Sequence, residues 1–99
     1  MTVAVQLDFR GATLEQYDEI NEILGPLPGG PAWRRELFHR VTKTDTGIRV
    51  LDVWESQEAF EEFLLDNLNP NWEEVGIPAP PEIQFFEIYN FFAGERWRG

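Results

Sequence analysis

The chain carries one histidine, His39, in a run of strand-forming residues, Leu37-Phe38-His39-Arg40-Val41. An imidazole titrates near neutrality without any special environment, so His39 is the first candidate for general acid or base chemistry. Its candidate partner is Asp52, in a second strand-like run, Ile48 to Trp54, beyond Thr44-Asp45-Thr46-Gly47. Hairpin register decides whether the two meet. If Thr44 to Gly47 form a four-residue loop, Lys43 faces Ile48 and His39 faces Asp52. The carboxylate then orients the ring and stabilises its charged form. If Gly47 instead makes a bulge after a three-residue loop, Thr44 faces Ile48 and Arg40 faces Asp52, a cross-strand ion pair. The second loop type is very common, and its pairing is the expectation. His39 is then a packed or edge residue satisfied by one hydrogen bond.

Other side chains qualify as pocket-lining candidates. Gln6, Asp8 and Asn90 are polar residues on strands expected to be largely covered, and covered polar groups need partners. Tyr17 on a first helix could aim its hydroxyl into a helix–sheet cavity, although a core tyrosine is the ordinary outcome. Phe63 lies on the inward stripe of a second helix, and Trp33 and Trp72 could close a pocket mouth or pack on a partner. The Pro28-Gly29-Gly30-Pro31 stretch lacks the spacing and lysine of a phosphate loop. No His/Cys cluster points to zinc or iron, so neither a metal nor a cofactor is expected. The only serine, Ser56, is better used as a helix cap than as a nucleophile.

The elements that must position these groups are legible from periodicity. Val3, Val5, Leu7 and Phe9 alternate with polar or small residues, a half-buried strand. Thr13-Leu14-Glu15-Gln16 is a capping-box pattern opening a helix over residues 14 to 24, with Leu14, Tyr17, Ile20 or Asn21, and Leu24 facing inward. Gly25-Pro26 ends it. Pro26 to Ala32 is a long loop, a possible lid, followed by Arg34 and Arg35, which are expected to be solvated. After the hairpin, Ser56 caps a helix whose apolar stripe is Ala59, Phe60, Phe63, Leu64 and Leu68. Asn69 is expected to cap a short extra helix with Pro70 at its first position. Glu82 to Phe92 read as the last strand, apolar on both faces and therefore expected to be covered on both.

The order β-α-β-β-α-β predicts an α+β, ferredoxin-like domain over residues 1–93, with 94–99 as a tail. Its four-stranded antiparallel sheet has both helices on one face. The other face also carries apolar residues, and a second copy of the chain is the simplest cover. At 99 residues one domain is expected, with a modest core. The formal charge of −10 argues against nucleic acid and anionic membrane surfaces as partners. There is no cysteine, and no signal peptide or membrane span is expected, which fits a cytoplasmic protein.

The run Val53-Trp54-Glu55-Ser56-Gln57-Glu58-Ala59-Phe60 resembles the WES-x-EAF strand-to-helix junction of antibiotic-biosynthesis-monooxygenase-like proteins, in the dimeric α/β-barrel superfamily. The closing Tyr89-Asn90-Phe91-Phe92 is similar to small members of that group. The resemblance covers about residues 3 to 92. It implies a homodimer whose two sheets close a barrel, with a pocket between each sheet and its own helices. It further implies a small hydrophobic or aromatic ligand and, where there is catalysis, cofactor-independent oxygenation or isomerisation. Non-catalytic members are the alternative. Haem-degrading members have a tryptophan and a histidine where this chain has Phe63 and Glu73, so haem degradation is not implied.

Overall fold

A computed structural model describes residues 2–25 and 35–90. Strand β1 (Val3–Arg10) leads into helix α1 (Leu14–Leu24); β2 (Glu36–Thr44) and β3 (Gly47–Trp54) form a hairpin; α2 (Gln57–Phe63), a π-helical turn (Leu64–Leu68) and α3 (Asn69–Trp72) follow, and β4 (Glu82–Glu87) closes the order. The four strands make one sheet in the order β2-β3-β1-β4, every neighbouring pair antiparallel. This is the ferredoxin-like arrangement expected from the element order.

Local chemistry accounts for the helix starts. The Thr13 hydroxyl accepts from the Gln16 backbone N–H at 3.2 Å, and the Gln16 side chain accepts from the Thr13 N–H at 2.9 Å, so the capping box is complete. Ser56 accepts from the Ala59 N–H at 3.0 Å. The helices lie on one face of the sheet. Val5, Leu7, Phe9, Ile48, Val50 and Trp54 from the strands meet Ile20, Leu24, Ala59, Phe60, Phe63 and Leu68 from the helices in a single core. Trp54 and Phe60 are fully buried, and each such ring contributes about 1.5–3 kcal/mol through burial. Leu14, expected on the inward stripe, is exposed. Among the described residues, no helix is long and apolar enough to cross a membrane.

The hairpin register differs from the expected one. Thr44 pairs with Gly47 and Lys43 with Ile48, which places His39 opposite Asp52 and Arg40 opposite Leu51. The tight turn is anchored by β1. The Gly11 N–H donates to the Thr46 carbonyl at 2.7 Å, and a Cβ on Gly47 would stand 2.0 Å from the Phe9 carbonyl oxygen. Gly47 is thus required by close approach of another strand, where the sequence suggested only a turn residue. The irregularity falls at the other end of the pair. Glu36 pairs with Trp54 and Phe38 with Val53, so Leu37 is the extra residue of a bulge.

Two more expectations are corrected. Asn69 caps nothing: the chain runs on from α2 through the π-turn, with the Asn69 N–H bonded to the Leu64 carbonyl. Pro70 lacks the N–H that would bond four residues back, and its ring crowds that carbonyl, so the helix widens before it instead of stopping. β4 ends at Glu87, short of the expected Phe92, since residues 88–90 are in no strand, and it lies at the sheet edge. Phe85 is 38% and Phe86 46% exposed. Residues 91 and 92, expected to extend it, lie outside the described residues, as do the expected loop at 26–32 and the tail at 94–99.

The sheet face away from the helices is graded. Pairing aligns Phe38, Val53, Ala4 and Phe86 in one row, Arg40, Leu51, Gln6 and Gln84 in the next, and Thr42, Arg49, Asp8 and Glu82 in a third. One end is apolar and the other charged.

A buried Glu-His-Asp cluster on the helix side of the sheet

His39 points toward the helices. Its Nδ1 lies 2.7 Å from Asp52 Oδ1 and 2.9 Å from Glu36 Oε2, and its Nε2 lies 2.5 Å from the Tyr17 hydroxyl. The Tyr17 and His39 rings stack, 5.9 Å apart between centroids and 16° from parallel. The second oxygen of Asp52 accepts from the Trp54 indole N–H at 3.2 Å. Side-chain exposure is 11% for His39, 4% for Glu36 and 2% for Asp52. Strand pairing sets two of the three: His39 and Asp52 are direct cross-strand partners. The bulge at Leu37 supplies the third. In a regular strand, residues three apart face opposite sides. The extra residue turns Glu36 to the same side as His39.

Burial and neighbours reset the protons. Burial pushes the Glu36 carboxyl up, and the Asp52 charge together with a hydrogen bond to Asp52 adds to the rise; the hydrogen bond to His39 opposes it, leaving a value of about 9. For His39, burial acts downward, but the hydrogen bonds and charges of Asp52 and Glu36 outweigh it and raise the imidazole to about 11. With Glu36 protonated at neutral pH, the upward direction for His39 is carried by Asp52. Both shifts favour the protonated forms of His39 and Glu36 at neutral pH. His39 is therefore a proton donor in this state. Its Nε2–H donates to the Tyr17 oxygen, and the phenol's own hydrogen is left for the cavity beside it.

That cavity, between sheet and helices, has a volume of about 30 Å³. That is room for one or two waters. Its wall is mainly apolar, with Leu7 and Val50 from the sheet, Ile20 from α1 and Phe63 and Leu68 from the second helical run; His39, Asp52, Tyr17 and Asn21 bring the polar atoms. The Asn21 side-chain oxygen is buried and has no partner. Leu68 belongs to the π-turn, and π-bulges recur at functional sites.

Of the sequence-derived candidates, the fold brings His39, Asp52, Tyr17 and Phe63 to this cavity. Gln6 and Asp8 are on the opposite face, Gln6 donating to Asp8 at 3.2 Å and Asp8 pairing with Arg49 at 2.7 Å. Trp72 packs half-buried against the core away from the cavity wall, and Asn90 is exposed beyond β4. Trp33 and Arg34 lie outside the described residues. Arg35, expected to be solvated, is paired with Glu62 at 2.9 Å and Glu55 at 3.5 Å. Glu36 was not legible as a site residue, since period two places it on the wrong face. Asn21 was legible only as an alternative for the inward stripe of α1.

No family model and no curated protein matches the chain. Solved structures do. Rv0793 from Mycobacterium tuberculosis is 15% identical, with 94% of this chain and 100% of that chain covered at a TM-score of 0.60. SnoaB, a cofactor-independent oxygenase from Streptomyces nogalater, is 16% identical, with 94% and 96% covered at 0.55. A monooxygenase from the gene ActVA-Orf6 of Streptomyces coelicolor, in complex with nanaomycin D, is 16% identical, with 95% and 92% covered at 0.54. At these identities the likeness is one of fold. The chain has the fold of antibiotic-biosynthesis-monooxygenase-like proteins, as the junction at Val53 to Phe60 implied.

Proposed function

We propose that this chain works as a cytoplasmic homodimer that takes a small hydrophobic or aromatic molecule between sheet and helices. His39 and Asp52, joined by Tyr17, handle its protons in a cofactor-independent oxygenation or isomerisation. The observation that carries this reading is the placement of one imidazole, held on both nitrogens by named partners, at the wall of an otherwise apolar cavity. In a low-dielectric setting a fixed proton donor beside an apolar ligand can stabilise a developing enolate or phenolate. The shared fold with two oxygenases adds support for ligand binding of this kind. The open, partly apolar sheet face supports the dimer.

The cavity volume sets a condition. At about 30 Å³ it is far below the several hundred cubic ångströms that a drug-sized ligand fills. Occupation requires the apolar side chains of Phe63 and Leu68 to move aside. The same volume favours the second reading, a non-catalytic dimer of this fold.

The test is oxygen uptake and product formation with a panel of quinols and polyketide-like aromatics. Turnover by the wild type, lowered about 10²–10⁴-fold in His39→Ala with the dimer retained, is the expected result. No turnover with any member of the panel, or turnover indifferent to His39→Ala, would overturn the catalytic reading in favour of the non-catalytic one.

A further inference from the structure

Nδ1 of His39 carries at most one hydrogen, yet a carboxyl oxygen lies on each of two sides of it, at 2.7 and 2.9 Å. The cluster brings two acids and one imidazole into a buried space. Among the described residues, Arg35 is turned to Glu55 and Glu62, and Arg49 to Asp8 on the far face. A dication that replaces the protons held by His39 and Glu36 leaves the net charge of this buried space unchanged.

We propose that Glu36, His39 and Asp52 form a binding site for one divalent first-row transition-metal cation. Each of the three offers one ligand atom, a carboxyl oxygen or a ring nitrogen, and these atoms lie within 4.8 Å of one another. Metal–nitrogen and metal–oxygen bonds of about 2.0–2.2 Å put adjacent donors roughly 3 Å apart, which the two carboxyl spacings to His39 Nδ1 match to within a few tenths of an ångström. One imidazole with two carboxylates is a set that suits borderline cations such as zinc, whereas calcium and magnesium prefer oxygen alone.

The surroundings fit a metal centre. A ligating histidine usually donates its other ring N–H to an oxygen, which fixes the tautomer; here Nε2 faces the Tyr17 hydroxyl. The Trp54 indole N–H holds the second oxygen of Asp52. The donors stand on two paired strands and a bulge, so their spacing is set by backbone hydrogen bonds. A separate observation points to an occupant. The cavity touching His39 and Asp52 has room for one or two waters, and it is also lined by Asn21, whose buried side-chain oxygen has no partner. Water ligands of the cation would fill that space and give Asn21 its missing donor. In the metal-bound form His39 is a ligand and not a proton donor, so the site is a second state of the same cluster, and its test does not depend on turnover.

Tag-free, chelator-treated protein should be titrated with Zn²⁺ by calorimetry and with Co²⁺ by visible absorption. One cation per chain is expected, with Co²⁺ d–d bands of nitrogen–oxygen coordination and a raised Tm. Glu36→Gln should weaken binding at least about tenfold, while Glu61→Gln on the solvent face of α2 leaves it unchanged. Because His39 is the only histidine, its ¹⁵N imidazole resonances report Nδ1 ligation in the wild type, whatever the fate of any variant. Absence of binding up to about 1 mM Zn²⁺ overturns the proposal. So does binding that leaves the His39 resonances unmoved, which would place the cation on the acidic surface. Either failure leaves the His39→Ala turnover test standing, and absence of turnover leaves the metal titration standing.

Discussion

The imidazole of His39 is held at both nitrogens, and the acid beside it, Glu36, keeps its proton well above the ordinary carboxyl range. These shifts have a sign in stability. A group whose folded pKa is raised contributes fully below its unfolded value, and that contribution is lost as pH climbs through the folded value. For Glu36 the window runs from 4.5 to about 9, and for His39 from 6.5 to about 11. Both act in the same direction, so the Tm of metal-free protein should fall as pH rises, starting near about pH 5. In Glu36→Gln the neutral amide removes the lower window, and the fall should begin near about pH 7, where the unfolded-state histidine has lost its proton. Thermal melts of both proteins across this range check it; identical slopes would mean that Glu36 is not protonated in the folded chain.

At the scale of elements, the site depends on how the β2–β3 hairpin is fixed. Its register is set by a two-residue turn clasped to the end of β1, and the hydrogen bond from Gly11 to Thr46 and the contact of Gly47 with Phe9 leave no room for a side chain. Gly47→Ala should therefore cost at least about 2–3 kcal/mol, since the new methyl meets backbone and not a movable side chain. Chemical denaturation measures this. A cost below about 0.5 kcal/mol would mean that the turn rearranges freely and that the His39–Asp52 pairing is not locked by it. The same hairpin carries the bulge at Leu37, so one pair of strands sets all three donor positions.

For the whole molecule, the sheet face away from the helices is the open question of the fold. Its row of Phe38, Val53, Ala4 and Phe86 is apolar, and Phe86 is 46% exposed on an edge strand. A second copy laid on this face would cover Phe86 and what remains exposed of Phe38 and Ala4, Val53 being already buried, and this supports the proposed homodimer. Sedimentation velocity should find a dimer for the wild type and a monomer for Phe86→Glu, in which burying a carboxylate against the partner is unfavourable. A wild type that sediments as a monomer at micromolar concentration would remove the dimer from the proposed function.

Several features were determined by the sequence by itself, because they rest on short-range periodicity and capping. The element order, the α1 span, the Thr13 and Ser56 caps and the α+β class all belong here. So did the fold likeness drawn from the Trp54–Phe60 junction. His39, Asp52, Tyr17 and Phe63 were readable as candidates from residue type and stripe position. What only the tertiary structure decided was which of them meet. The register depended on a contact between Gly47 and β1, far away in sequence, so the local preference for a bulged turn lost. Glu36 entered because one extra residue at Leu37 reversed the alternation that period two assumes. Gln6 and Asp8 looked equivalent to Asp52 as strand polars, yet pairing put them on the other face. Sequence alternation tells which residues share a face, but only the packed helices decide which face becomes the inside.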